Sequence, residues 1–547
     1  MSASSKKKLR KEQETAVLTE RQLQEQKEAK KLKAYTVTFV TTMIAVLVIA
    51  LVVLTATFIK RSGIIDKKTI AMTVGEHEIN SVVMNYYYRD LITNSYNDWY
   101  SMYGDQISTY MAMLGLDLNK PLNEQEHMDG GTWDEYFINA TMEKIKSDYI
   151  LYDEAMKHNY TLSDAAKDNM ANSLSTMDFY AVLYGYTDTT QYLKNAYSFG
   201  ATVDSFVDYI EKSTIAANFY NEYAASLVYD DAAIREYEKD KYDDYSSFDY
   251  AYYYLSVNSF LPEGVPTTDA TDEQKKVAGE AAKKAAEEVA SKATTLLEMD
   301  AAIAALEVNK DVAESKKVST KKTSELYTST LTVVRDWLND DSRKAGDVGV
   351  IPYEMTTKNS EGKEITYLNG YYVAFFQERN DNEDKMANVR HLLVAFTTES
   401  DGSVTSANKT KAKEEAEGYL KTWTEGAKTE ESFIELVKAH SDDSTASTGG
   451  LFEDIHVNSS YVDGFKNWAI DDSRQAGDAE VVETEYGYHV MYYVGDSEQT
   501  YRDYMIASEM RSDEMYTWLE ELLASQEMAE VDFSRLDRGV VIAAGYY

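Results

Sequence analysis

Residues 468–482 read WAIDDSRQAGDAEVV and residues 337–351 read WLNDDSRKAGDVGVI, one phrase written twice at a spacing of 131 with nine of fifteen positions identical. What surrounds the phrase is duplicated as well. Ahead of the second copy run a strand-like NVRHLLVAF and two helix-like stretches, KAKEEAEGYLKTW and EESFIELVKAH, and after it comes the strand-like GYHVMYYV. In the first of those helices Ala412, Ala416, Tyr419, Leu420 and Trp423 share one face, as a helix laid on a sheet requires. The first copy follows the same plan: FDYAYYYLSV, aromatic as strands often are, then an Ala/Lys/Glu-rich helical run, the phrase, and GYYVAFFQE. About fourteen extra residues around TTKNSEGKEITYLN separate phrase from closing strand there, a surface insertion by expectation. Two tandem α+β domains, 239–382 and 383–497, are therefore expected. Trp337 and Trp468 would end a helix in each, with Gly346 and Gly477 giving the following turn its backbone freedom.

At 547 residues the chain is too long for one hydrophobic core, so an α+β multidomain protein is expected. Residues 60–238 are tyrosine-rich and mainly helical in pattern: a short strand-like piece, a Gly-centred turn at Gly75, then helices such as TMEKIKSDYILYDEAMKHN and DSFVDYIEKSTIAANFYNEYAASL. After 497 the chain returns to helix with YRDYMIASEMRSDEMYTWLEELLASQ. The run AYTVTFVTTMIAVLVIALVVLTATFI, 34–59, holds no charge in 26 positions, enough to span a hydrocarbon core of ~30 Å. It is too long for the apolar core of a cleaved signal, so an uncleaved transmembrane helix is expected. The basic segment 1–33, richer in Lys/Arg than the KRSGIIDKK that follows, places the N-terminus in the cytoplasm and the bulk of the chain outside the cell membrane, single-pass.

Net charge is −38, and the first 33 residues carry +5, leaving −43 on the remainder. Such a surface repels phosphate backbones and argues against nucleic acid as a partner. With no cysteine, disulfides, thiolate metal sites and a cysteine nucleophile are all excluded.

The second copy resembles the parvulin family of peptidyl-prolyl cis-trans isomerases. VRHLLV is similar to that family's first strand, with His391. SDDSTASTGG at 441–450 resembles its acidic-and-hydroxyl turn before a Gly-Gly pair, placing Asp443 at an acidic position. Phe465 in YVDGFKNWA matches its pocket phenylalanine, and TEYGYHVMYY its closing strand, with Thr484, Gly487 and His489. LFEDI stands where the family has an L-G-W/F element, and Tyr461-Val462 where it has Met-Gln. The whole layout resembles extracytoplasmic foldases of the PrsA and SurA type, in which the C-terminal helix packs back on the helical N-terminal domain. The resemblance thus implies that 498–547 completes the chaperone-like domain 60–238.

The resemblance implies His391, Asp443, His489 and Thr484 as catalytic residues and Phe465, Tyr461, Val462 and Tyr488 as substrate-binding ones. Isomerising an X-Pro bond needs no nucleophile, metal or cofactor: it needs an apolar slot for the proline ring and groups that favour the twisted amide over the planar one. Alternation puts Val389, His391, Leu393 and Ala395 on one face of their strand, and His489, Met491 and Tyr493 together on theirs. If the strands are neighbours, the two imidazoles meet, with Thr484 and Asp443 fixing their tautomers. A lone strand histidine is more often a satisfied core residue; it is the pair within the set of matched motifs that points to a site. The first copy has Tyr372 where the second has His489, and Tyr252 or Tyr253 where it has His391, so it is read as the same fold without the chemistry. His77, His127, His158, His440 and His456 show no metal-ligand spacing. The reading is an anchored foldase whose partners are unfolded secreted polypeptides and the membrane, with a homodimer left open. Its rivals are a holding chaperone that uses both parvulin-like domains for binding, and a surface scaffold.

Overall fold

The structure, a computed structural model, describes residues 4–7, 20–265, 270–358, 363–536 and 538. The chain divides into two compact units, Met1–Leu227 with Met515–Tyr547, and Val228–Glu514. In the first, the charge-free run 34–59 lies within a helix, Glu20–Ser62, and is exposed along its whole length. At ~1.5 Å per residue that run measures about 39 Å, and among the described residues no other helix is long and apolar enough to cross a membrane.

The rest of this unit is helical around a small antiparallel sheet. Strands β1 (Ile70–Val74) and β2 (His77–Asn80) form a hairpin turning at Gly75, whose φ is 54°. On the other side β1 pairs with β11 (Met528–Glu530), so the sheet is closed by the chain's C-terminal segment. Helices begin where the sequence supplies caps: Asn80 Oδ1 accepts the Val82 and Val83 N–H groups ahead of Ser81–Tyr103, and Thr132 closes a capping box with Glu135 ahead of Trp133–Lys157. Tyr87, Tyr88, Trp133, Phe137 and Tyr149 build a shared core with Met72 and Ile79.

In the second unit β3 (Ser247–Ser256), β4 (Thr320–Leu326), β5 (Val348–Lys358) and β6 (Glu364–Asn380) form one antiparallel sheet, and β7 (Lys385–Ala395), β8 (Leu451–Ile455), β9 (Ala479–Glu483) and β10 (Gly487–Thr500) another. Their orders, β4-β3-β6-β5 and β8-β7-β10-β9, correspond strand for strand. The helices correspond too: Asp272–Lys292 and Leu296–Ala304 in the first copy, Ser406–Glu425 and Glu430–His440 in the second. The Ala-rich run that reads as one helix is thus two, because Thr295 accepts the Glu298 N–H and starts a new one. The described extra residues of the first copy lengthen β5 and β6, which pair as far as Lys358–Glu364, with Thr356 and Thr366 hydrogen-bonded across the pair at 2.9 Å.

The repeated phrase turns out to be a turn device (Trp337–Ile351 and Trp468–Val482). Asp340 and Asp471 each accept the N–H and the hydroxyl of the serine two residues on, at 2.9 and 2.7 Å in one copy and 2.9 and 2.6 Å in the other. Arg343 and Arg474 lie over the rings of Trp337 and Trp468, 4.8 and 4.5 Å from their centroids. Gly346 and Gly477, φ 92° and 93°, donate to Phe376 and Tyr493 carbonyls and hand the chain to the next strand. The repeated Asp340/Asp471, Ser342/Ser473, Arg343/Arg474 and Asp347/Asp478 are thus spent on the turn.

The limits of this unit differ from those read in the sequence, 238/239 and 497/498. Helix Asp231–Glu238 packs Ile234 on Tyr245 and Ile506, and buried Glu238 accepts from buried Arg502 at 2.8 Å, so both belong with the sheets. The long helix Tyr501–Ala524 is shared, the division falling between Glu514 and Met515.

Candidate active site

Period-two alternation gives the second sheet two unlike faces. Leu392, Val394, Tyr488, Val490 and Tyr492 pack beneath Ala412, Ala416, Trp423 and Phe433 of the two helices. Val389, Met491 and Tyr493 pack on the other side with Phe465 and Trp468 from helix Asp463–Ala469. His391 and His489 belong to this second face, 2% and 5% exposed. In register His391 stands opposite Met491 and His489 opposite Leu393, so the imidazoles are diagonal neighbours. Their rings lie nearly parallel with centroids 5.1 Å apart, and Nδ1 faces Nδ1 at 2.8 Å.

Each ring is held from its far side. Thr484 Oγ1 lies 2.9 Å from His489 Nε2, and Asp443 Oδ1 lies 3.6 Å from His391 Nε2, an ion-pair separation rather than a direct hydrogen bond. Thr484 is itself fixed by its N–H to the Gly487 carbonyl, 2.9 Å, and by accepting the Tyr486 N–H, 3.2 Å. In the state with a single proton on each imidazole, the partners admit one consistent direction. The Asp443 carboxylate only accepts, so His391 presents Nε2–H to it; His391 Nδ1 then accepts from His489 Nδ1–H, and His489 Nε2 accepts the Thr484 hydroxyl proton. Burial, with the neighbouring His391, pushes the His489 pKa down to about 4, so this ring is neutral near pH 7. His391, followed by the hydrogen bonds from the Thr445 hydroxyl and N–H, holds the Asp443 carboxyl well below the usual carboxylate range. A neutral His489, one imidazole of the pair, thus sits close to a fixed negative charge.

The Gly449-Gly450 pair has a steric cause. Both have positive φ, 78° and 63°, and a Cβ on Gly450 would lie 2.2 Å from the His391 carbonyl oxygen. Only glycine lets the turn Ser444–Thr448 press against β7, where His391 N–H donates to Gly450 O at 3.0 Å and the turn brings Asp443 to the ring.

Above the histidines stand three aromatic rings. Phe465 meets His391 and His489 edge-on at 5.2 and 5.6 Å, Phe452 meets His391 at 5.0 Å, and Tyr461 packs on both phenylalanines at 5.4 and 5.5 Å. Val462 is part of the same cluster. Phe452 was not among the residues singled out from the sequence, because LFEDI reads there as a departure from the family pattern; an aromatic residue two positions after the Gly-Gly pair is the signal that marks it. Tyr488 requires a correction. Next to His489 in sequence, it points to the opposite face, where it is buried against Phe396 and donates to Glu483 at 2.8 Å, and it takes no part in this cluster.

The first copy supplies the contrast. Tyr252 stands opposite Ala374, as His391 does opposite Met491, which resolves its counterpart to Tyr252 rather than Tyr253. Tyr252, Tyr254, Tyr353 and Tyr372 crowd together with ring centroids 4.8 to 6.0 Å apart, where the second copy has its histidine pair.

Residues 372–496 match the family model of the PPIC-type PPIASE domain, and the chain therefore carries a parvulin-type peptidyl-prolyl isomerase domain. Among solved structures it is similar to the peptidylprolyl isomerase PrsA from Bacillus anthracis, at 20% identity over 26% of this chain and 59% of that one, with a TM-score of 0.17. It is similar to PrsA from Bacillus subtilis at 14% identity, covering 75% of this chain and 92% of that one, TM-score 0.26. A structure of the SurA-like chaperones PEB4 and Cj1289 from Campylobacter jejuni matches at 22% identity over 27% and 56% of the two chains, TM-score 0.15. The chain thus spans 59% of the length of the first of these. No curated protein matches it.

Proposed function

We propose that the protein is a membrane-anchored extracytoplasmic foldase whose 383–497 domain isomerises X-Pro bonds in unfolded secreted polypeptides. One observation carries the reading: the His391–His489 pair, 2.8 Å apart, lies under an aromatic wall and beside an ionised Asp443. In a planar X-Pro amide the carbonyl oxygen carries partial negative charge, and that resonance sets a barrier of ~18–20 kcal/mol. Rotation removes it. A carboxylate held close to the carbonyl oxygen raises the planar form relative to the twisted one, which lowers the barrier without any covalent step. Asp443 is that carboxylate. His391, His489 and Thr484 keep its side of the notch rigid, and Phe465, Phe452 and Tyr461 form the apolar slot for the pyrrolidine ring. Helix Glu20–Ser62 supplies the anchor, and the lysine-rich side of it lies in the cytoplasm.

Exchange spectroscopy on a short X-Pro peptide tests this with the full chain. Asp443→Ala and His489→Ala should each lower kcat/KM at least tenfold; equal interconversion with and without protein sinks the catalytic reading. A holding chaperone is the second reading. It is favoured by helix Asp164–Leu183, which leaves Phe179, Val182 and Leu183 63%, 75% and 60% exposed. Suppression of light scattering by a denatured client, retained in Asp443→Ala, would speak for it.

A further inference from the structure

In the first unit a cavity of about 810 Å³ opens where the apolar helix ends. It is lined by Lys60 and Arg61 from that helix, Lys194 from helix Thr189–Ala196, and Arg535 from the C-terminal segment, with Tyr186 and Ser198 between them. Its one carboxylate, Asp66, is buried and already held by Arg535, whose Nε and Nη2 donate to Asp66 Oδ1 at 3.0 and 2.7 Å. Three cations are thus left over in a protein whose remaining surface is strongly acidic. The cavity is built rather than incidental. Gly63, φ 66°, lies so close to the loop that follows helix Thr189–Ala196 that a Cβ would come within 2.3 Å of Gly200 Cα, and Gly200 is in turn packed on Val82. The helix end is therefore pinned to the cavity's other walls.

We propose that this cavity binds the phosphate of an anionic phospholipid headgroup in the leaflet where the helix emerges. Lys60 directly follows the charge-free run 34–59, which puts the four cations at headgroup depth once that run is in the bilayer. The Arg61 guanidinium fork suits a phosphodiester, and the lysines add point charges. The bound lipid then fixes how the first unit sits over the membrane. This rests on the reading of 34–59 as membrane-spanning.

The test uses full-length protein. Flotation with phosphatidylcholine vesicles first asks whether the chain inserts; failure to float overturns the anchor reading and the lipid site with it. Retention of phosphatidylglycerol against phosphatidylcholine is then titrated by native mass spectrometry in detergent, for the wild type and Lys60→Gln/Lys194→Gln. Phosphatidylglycerol should be preferred in the wild type, and the double variant should bind it about thirtyfold more weakly, from roughly fivefold per cation removed at a membrane surface. These lysines leave the Arg535–Asp66 pair intact, so folding is not at stake. Glycerol phosphate should compete only weakly; competition equal to the lipid's would reassign the site to a free phosphate. Flotation with no headgroup preference, or equal retention by the variant, refutes the site while leaving the anchor standing.

Discussion

Lowering the pH from 7.5 to 4.5 should destabilise the second unit through His489. The imidazole is buried, and burial with the adjacent His391 pushes its pKa down to about 4, against ~6.5 for an exposed histidine. At pH 7.5 neither the folded nor the unfolded chain protonates it, and it costs nothing. At pH 4.5 the unfolded chain holds the proton almost fully and the folded chain in only a minority of molecules, so the unfolded state gains about 2–3 kcal/mol. This loss begins as the pH falls below ~6.5 and is complete near pH 4, since below that both states are charged. Asp443 does not confuse the window. Its carboxyl is held low, so its contribution is present above the ordinary carboxylate pKa and is lost only as the pH falls further.

Other groups titrate in the same range, among them His456, whose pKa burial also lowers. They cancel in a double difference. Urea unfolding of the wild type and of His489→Gln, followed by tryptophan fluorescence at both pH values, isolates the term. The wild type should lose about 2–3 kcal/mol more than the variant between the two conditions. Equal losses would mean that the ring is hydrated and protonates freely, and the buried neutral His489 would have to be abandoned.

Gly450→Ala should cost at least about 2 kcal/mol in a urea titration and lower isomerase activity together, because the new Cβ meets the His391 carbonyl and the left-handed backbone opposes any side chain. Tyr488→Phe should remove only the hydrogen bond to Glu483, about 1 kcal/mol of stability, and leave KM for an X-Pro peptide unchanged, whereas Tyr461→Ala, at an exposed ring, should raise KM with little effect on the unfolding midpoint. Arg502→Met should cost about 3 kcal/mol, because it leaves buried Glu238 with Arg235 alone and removes the donors to the Tyr242 and Asp381 carbonyls, and Arg502→Met/Glu238→Met should recover only part of it in the same chemical denaturation.

Alternation in NVRHLLVAF and GYHVMYYV placed both histidines on one face, but a period of two carries no register, so it could not say that they would meet diagonally. The same alternation excludes Tyr488 from that face, against what the family resemblance implies. The helices were legible as helices, yet which core a helix joins is decided by partners far along the chain: Glu238 meets Arg502 264 positions away, and no local pattern near 238 announces that. Gly449-Gly450 could be read as a turn. Its purpose, room for the backbone of His391, needs coordinates.

The two copies separate what the fold demands from what the chemistry demands. The turn phrase survives in both because Asp340 and Asp471, the stacked arginines and the positive-φ glycines are needed to bring the last strands together whatever lies on them. The histidines are not part of that demand, and tyrosine rings fill their place in the first copy. Restoring imidazoles alone should therefore restore nothing. Tyr252→His/Tyr372→His, made in a His489→Ala background, should give a folded protein without X-Pro isomerase activity, because ESKKVS at 314–319 offers neither the Gly-Gly approach nor an aspartate fixed like Asp443. Activity regained in that variant would show that the histidine pair suffices, and the role assigned to the ionised carboxylate would fall.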